Sequence, residues 1–353
     1  MKPSKLTRRQ FTKLTLGAGA ATFAVSGRTP RAGAQAGELT IVGWGGTHED
    51  SLKKAVYEPF TAATGIRIKS VSVTNQLAGL KAQVQANNPE WDIIQPASLW
   101  VARGTKEGLF EKIDYGMVDA SPLYKAAVHP NAVAFEVFAV DIAYNTKKFP
   151  GGTHPKTWVE LWDVKRFPGR RTAPGWTPRD NMEAAALASG VPVNKVYPID
   201  TRRAFDKLAE IKPHTIWWQT GAQFVQLFAD GEVDLGYGWG ARITVIAREG
   251  KPVGVEFNQA ILDQTFYAIS KVSRNKEAAM KFIAFAVQAK PQTERPKLYP
   301  QGPTSRKAWA DLDAKTKADL LNPEMPNVVI RDHDWWVDRE EDLIGQWKRF
   351  LGA

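Results

Sequence analysis

The chain of 353 residues contains no cysteine. That excludes disulfides, iron–sulfur centres and thiol chemistry. Its five histidines, His48, His129, His154, His214 and His333, are never two or four positions apart. With no H-E-x-x-H and no cysteine ligand, neither a zinc nor a haem site is supported, and no cofactor is expected. There is no G-x-S-x-G nucleophile elbow and no glycine-rich turn ending in a P-loop lysine. Gly43-x-Gly45-Gly46 lacks the spacing of the dinucleotide fingerprint. Carboxylates are plentiful, but nothing in their spacing pairs one as acid with another as base.

The first thirty-six residues read as an address. Thr7-Arg8-Arg9-Gln10-Phe11-Thr12-Lys13-Leu14 leads into a weakly apolar run to Val25, with small-residue sites at Ala32-Gly33-Ala34 and Ala34-Gln35-Ala36. A charged start, a short apolar run and an A-x-A site make a cleavable export signal, too short for a membrane span. The arginine pair with Phe and Lys resembles the twin-arginine signal, so the Tat translocase is an expected partner during export. Lys2, Lys5, Arg8, Arg9, Lys13, Arg28 and Arg31 lie in this segment, with no acid. Cleavage removes these seven charges, taking the formal net charge from +10 to +3. No basic stripe then remains except Lys165-Arg166 and Arg170-Arg171, which read as a solvated loop, so no nucleic-acid partner is expected. A soluble periplasmic protein is the expectation, a monomer of two domains from Gly37 to Ala353.

Strand and helix patterns alternate along this mature part. Glu38 to Gly43 reads as a strand, about Glu49 to Ala63 as a helix closed by Gly65, and Ile66 to Val73 as a strand. A helix from about Asn75 to Ala86 precedes the short buried strand at Trp91 to Ile94. Such alternation predicts an α/β domain with a largely parallel sheet. Val133 to Asn145 is an unbroken β-type run, and Asp263 to Ser270 is a second one. One run leaving a domain and one returning suggest two lobes joined by two hinge strands, with a closing cleft between them. Lys276 to Gln288 reads as an amphipathic helix, and a helical, Trp-rich tail ends the chain.

Phe228 to Gly250 carries the most pointed signal. It reads as a helix end, a turn at Asp230-Gly231, a strand from Glu232 to Trp239 and a helix from about Ala241 to Arg248. In an open α/β sheet, ligands sit beyond the carboxyl ends of strands. Tyr237 and Trp239 stand there, with a glycine on each side of the tryptophan. Two readings of Trp239 are open on these residues alone: a face for a small ligand, or a core tryptophan.

Several segments together resemble the spermidine/putrescine-type solute-binding proteins of ABC importers. They are Trp44-Gly45-Gly46, Glu58-Pro59-Phe60 with Thr64-Gly65, Trp91-Asp92-Ile93-Ile94-Gln95-Pro96 and Lys106-Glu107-Gly108-Leu109 with Ile113-Asp114. Tyr144-Asn145, Trp158 with Leu161-Trp162, Phe167-Pro168-Gly169-Arg170 and Asp230-Gly231-Glu232-Val233 continue the series, in order, over nearly the whole mature chain. The resemblance implies a type II periplasmic-binding-protein fold, an α/β fold of two lobes joined by two hinge strands. The lobes would be 37–138 with 265–309, and 139–264 with 310–353. It also implies delivery of a solute to an ABC permease driven by a cytoplasmic ATPase. The competing reading, a Tat-exported periplasmic enzyme, predicts a tightly held chromophore or metal instead.

Site residues follow from the resemblance position by position. Trp44 and Gly45 match an aromatic face and a helix start, and Trp239 matches a stacking tryptophan. Ala97 and Leu99 stand where polyamine binders have serine and tyrosine, which shifts those contacts to Ser98 and Trp100. Arg179-Asp180 matches an Arg-acidic pair, with Asp180 the candidate ammonium anchor. Asp263 and Thr265 replace the aromatic residue and the acid of a Trp-x-Asp pattern. A diammonium ligand needs aromatic faces and a carboxylate at each end, because a desolvated charge must be paired. Arg242, just after Trp239, suits a carboxylate or phosphonate instead, or is a solvated residue on the first turn of a helix. The expected solute is therefore a polyamine, or a zwitterion such as an ω-amino acid, an opine-like compound or an aminophosphonate.

Overall fold

The computed structural model describes residues 37–73, 75–322 and 324–352, so the expected signal lies outside the described residues. The strands are β1 (Glu38–Gly43), β2 (Arg67–Ser72), β3 (Ile93–Ile94), β4 (Val128–His129), β5 (Ala132–Asn145) and β6 (Arg171–Pro174). After them come β7 (Thr215–Trp218), β8 (Leu235–Trp239), β9 (Val253–Ile269), β10 (Gly302–Pro303) and β11 (Val329–Ile330). Helices α1 (Gly46–Leu52), α2 (Glu58–Thr64), α3 (Gln76–Ala86) and α4 (Ser98–Lys106) belong to the first stretch. Next are α5 (Trp158–Trp162), α6 (Asn181–Ala188), α7 (Thr201–Ile211), α8 (Gly221–Ala229) and α9 (Gly240–Arg248). The chain ends with α10 (Lys276–Ala286), α11 (Ala289–Leu298), α12 (Arg306–Asp311), α13 (Ala314–Ala318), α14 (His333–Val337) and α15 (Glu340–Leu351).

One mixed sheet runs in the order β2-β1-β3-β9-β5-β8-β6-β7. β1 lies parallel between β2 and β3, and β6 lies parallel between β7 and β8. The two parallel sets are joined through β5 and β9, which pair antiparallel. β5 has 14 residues and β9 has 17, so each is about 45 Å or longer at roughly 3.3 Å per residue. A strand covered on both faces reads as a continuous apolar run, which is why β5 shows no clean alternation. Its run is broken only by Glu136 and Asp141, both buried.

Two main apolar cores flank the long strands. One gathers Leu39, Ile41, Phe60, Ile94, Phe110, Tyr267 and Phe282. The other gathers Trp158, Trp162, Met182, Leu208, Trp336 and Trp347, and takes Leu99 from α4. Fully burying a Leu or Phe side chain is worth roughly 1.5–3 kcal/mol, so Leu99 ties α4 firmly to the second core.

Several boundaries differ from expectation for local reasons. The first helix starts at Gly46 and passes through a π-type turn, Lys53–Tyr57, before Thr64. Gly65 closes it at φ 74°, its amide donating to the Thr61 carbonyl, the left-handed cap that glycine favours. β9 begins at Val253, ten residues early, because its half-exposed first part pairs with β5 alone and carries polar side chains. β8 starts at Leu235, since Glu232 still completes the turn by donating to the Leu227 carbonyl. α10 stops at Ala286 rather than Gln288.

Lys165, Arg166 and Arg170 are exposed as expected, but Arg171 departs from the solvated-loop reading. It is 2% exposed and donates to the carbonyls of Leu161, Gly169 and Phe167. It cross-links the loop that precedes β6.

Candidate ligand-binding site

The aromatic side chains come first. Trp44 leaves the end of β1 with 39% of its surface exposed, and stacks on Trp100 of α4 at 5.5 Å and 25°. Trp239 ends β8, half-buried, with its ring edge-on to Trp218 at 5.3 Å. Trp176 leans against it at 5.9 Å and is 43% exposed. They form two pairs, Trp44 with Trp100 and Trp176 with Trp239, each with one strongly exposed ring, and exposed aromatic surface of this kind marks a candidate interaction site. Trp176 was missed in the sequence, although its place between two prolines, Ala173-Pro174-Gly175-Trp176-Thr177-Pro178, fixes it on a rigid loop.

Two arginines frame these rings. The Arg242 guanidinium carbon lies 5.4 Å from the Trp239 ring centre, and that of Arg179 lies 6.0 Å from the Trp176 centre. Gly221 makes the room: a Cβ there would stand 2.7 Å from Arg242 Nε and 3.0 Å from the Trp239 ring. Among the described residues no carboxylate lies within ion-pair distance of Arg242. Arg179, in contrast, has Nε 2.9 Å from Glu340, and the same carboxylate takes Arg103 of α4 at 2.8 Å. One acid at the start of α15 thus ties α4 to the loop before α6. Gly45 supplies the turn after Trp44 at φ 73°, where a Cβ would stand 2.8 Å from Ser72 Oγ.

The acids are deeper and already engaged. Arg331 is 4% exposed and sends its guanidinium to Asp180 at 2.5 Å, Glu183 at 2.9 Å and Asp263 at 3.0 Å. Ser98 donates to Asp263, as does the Gln264 amide. Tyr197 and Trp336 donate to Glu183 Oε1, while buried Glu183 Oε2 has no partner. Burial raises all three carboxyls; for Glu183 and Asp263 their cationic and hydrogen-bonded neighbours win and the pKa is lowered. For Asp180 burial wins, with Glu183 adding repulsion, and its pKa is raised. Three carboxylates share one guanidinium, so the pocket carries excess negative charge. Asp180 also sits at φ 69°, a conformation non-glycine residues hold only when the surroundings impose it. Asp180 and Asp263 are therefore not free ammonium anchors as expected. Arg331 was missed because it arrives from the tail, some 150 positions after Asp180, with no motif around it.

Tyr237 and Thr265 are corrected by burial. Tyr237 is 2% exposed, packs on Trp158 and Trp162, and donates its hydroxyl to Asn181. Thr265 is 3% exposed and pairs with Glu136 across the long strands. Glu136 belongs to another buried set: Arg295 contacts it, and His48 Nε2 lies 3.0 Å away. Burial would raise the Glu136 carboxyl, but Arg295 and His48 outweigh it and hold it at about 2. Tyr299 stands against His48 and Arg295; burial raises its phenol, opposed chiefly by the charge of Arg242.

A cavity of about 560 Å³ opens at α4 and β9, where Ser98, Asp263, Arg331 and His333 line it with Tyr124 and His129. It reaches the acid pocket but touches none of Trp44, Trp100, Trp176 or Trp239.

Two parallel strand sets bridged by a long antiparallel pair, with aromatic residues at the strand ends, define a periplasmic solute-binding fold. Residues 55–324 match the family described as bacterial extracellular solute-binding protein. The chain belongs to that family. It is 30% identical to the gamma-aminobutyric acid-binding protein of Pseudomonas aeruginosa, over 88% of this chain and 90% of that one. An ABC transporter substrate-binding protein from Bradyrhizobium japonicum superposes with a TM-score of 0.84 at 34% identity, covering 89% of this chain and 99% of that one. The Atu4243–GABA receptor structure gives 0.82 at 32% identity, covering 89% and 97%. The spermidine/putrescine-binding periplasmic protein of Escherichia coli matches at 25% identity, over 84% of this chain and 83% of that one. These relatives are binding proteins, and the enzyme alternative is set aside.

Proposed function

We propose that this chain is the extracytoplasmic substrate-binding component of an ABC importer, and that its solute is a small zwitterionic amino compound of the ω-amino-acid type. The solute is captured between two lobes, 37–138 with 265–309 and 139–264 with 310–353, and handed to a permease driven by a cytoplasmic ATPase. The observation that carries the choice of solute is Arg242 beside Trp239, without an ion-pair partner among the described residues, set against acids that Arg331 already neutralises in part. An ammonium group lies on the tryptophan faces, where cation–π attraction is worth about 0.5–2 kcal/mol. A carboxylate takes Arg242, with Arg179 nearby, through charge-assisted hydrogen bonds. Relatives named for gamma-aminobutyric acid support this solute over a polyamine.

The protein acts as a monomer in the periplasm, and Arg8-Arg9 routes it through the Tat translocase. Replacing both arginines by lysine in a reporter fusion would leave export unchanged if that route were wrong. For the solute, residues 37–353 are titrated calorimetrically with 4-aminobutyrate, 5-aminovalerate and putrescine. At 100 times its dissociation constant a ligand stabilises the native state by about 2.7 kcal/mol, so a melting shift accompanies binding. Binding of the two amino acids is expected; binding of putrescine alone would overturn the reading.

A further inference from the structure

We infer that Arg331 is a resident counter-cation: its guanidinium fills the Asp180–Glu183–Asp263 pocket where the ammonium group of a diamine would otherwise sit, so that Arg331 determines rejection of diamines and polyamines. This deepens the zwitterion reading and rests on it for the identity of the accepted solute.

The argument is one of charge and space. Each nitrogen of the Arg331 guanidinium is taken by a different carboxylate: Nη2 by Asp180, Nε by Glu183 and Nη1 by Asp263. An arginine fork matched to three acids places its charge where the three converge. The side chain is 3% exposed, and its partners are 6%, 0% and 1% exposed. A buried carboxylate must be paired, and losing its partner is strongly destabilising. Among the described residues no other lysine or arginine is in ion-pair contact with these acids. His333 lies 3.7 Å from Asp263, but burial lowers its pKa, with Arg331 and Arg179 acting in the same direction against Asp263. Arg179 lies against Glu340 instead, with Nε 2.9 Å from its carboxylate. The unpartnered, buried Glu183 Oε2 shows that even with Arg331 present the acids have acceptor capacity to spare. With the guanidinium removed, three carboxylates would face an emptied volume that the 560 Å³ cavity already reaches through Asp263 and Ser98. A primary ammonium fits that chemistry; a carboxylate does not.

The experiment uses Arg331→Ala, Arg331→Gln and Arg331→Lys in the chain from Gly37 onward, with folding checked by circular dichroism. Each is melted with and without putrescine, cadaverine, butylamine and sodium chloride at matched ionic strength. The wild type is expected to show no diamine shift. Arg331→Ala is expected to melt lower in buffer and to regain several degrees with the diamines, less with butylamine and none with salt. Arg331→Lys, which keeps a cation in place, is expected to reject diamines as the wild type does. Should Arg331→Ala fail to fold, Arg331→Gln carries the same test. A wild type that binds putrescine as tightly as 4-aminobutyrate overturns the inference, and so does a folded Arg331 variant whose melting is indifferent to diamines. If the wild type binds neither class, the proposed solute fails, while diamine rescue of the variants still reads out the role of Arg331.

Discussion

Arg295→Met isolates the buried pair beneath Tyr299. Glu136 is 1% exposed on β5, and Arg295 of α11 is its strong cationic partner, with His48 beside it. Methionine keeps most of the arginine's bulk and its packing near Phe135 and Tyr299, so the change is chiefly one of charge. Glu136 falls from its ordinary 4.5 to about 2 in the folded protein. At about 1.4 kcal/mol per pKa unit, that is on the order of 3 kcal/mol of stabilisation. The sign follows from the depressed value: the stabilisation is full above about pH 4.5 and is lost as pH falls toward 2. Removing one partner of a buried pair costs about 3–5 kcal/mol, the same scale. Urea unfolding should therefore show Arg295→Met about 3 kcal/mol less stable than wild type at pH 7. The gap should shrink to about 1 kcal/mol at pH 3, where Glu136 of the variant is protonated. Adding Glu136→Gln should restore most of the loss at pH 7. A loss under about 1 kcal/mol at pH 7, or an equal loss at both pH values, would refute the pairing.

Three further outcomes follow from the same structure. Trp239→Ala should weaken solute binding by about tenfold or more, as expected for the loss of a cation–π face, in a protein that still folds; unchanged affinity by calorimetry would remove Trp239 from the site. Arg242→Gln should cost about 10–100-fold in affinity for ω-amino acids, because a charge-assisted hydrogen bond is worth about 1.5–3 kcal/mol, and should leave the melting temperature nearly unchanged. Burial, with Glu256 adding repulsion, pushes the Asp141 carboxyl up well above its usual value. Its stabilising effect is therefore present below about pH 4 and lost as pH rises through the folded value. Asp141→Asn, which keeps an oxygen for the Gly240 amide, should then melt higher than wild type at pH 8 but not at pH 4. The reverse order would place a counter-charge beside Asp141.

The candidate aromatic residues could be placed at strand ends because the signals for them are local. Trp44, Trp100 and Trp239 each follow a strand directly or open a helix just beyond one, and a strand's end fixes where its last side chain stands. Arg242 was placed by the same kind of signal, three residues past the end of β8. The acids were misjudged in role rather than in position. Asp180 and Asp263 do lie together, but sequence spacing says nothing about a third residue folded in between them. Tyr237 failed differently: alternation on β8 turns it toward Trp158 and Trp162 in the core, and the neighbouring glycines gave no hint of which face that is.

From composition and periodicity alone came the α/β class, the exclusion of thiol chemistry in a chain without cysteine, and two long strands linking two α/β parts. These depend on residue type and on neighbours a few positions away. The cation that occupies the acid pocket, the joining of Arg103 and Arg179 through Glu340, and the Glu136–Arg295 pair were decided only in three dimensions. Each unites groups from distant parts of the chain, 151 positions apart for Asp180 and Arg331, and the balance between burial and charge that sets their ionisation exists only once the chain has closed around them.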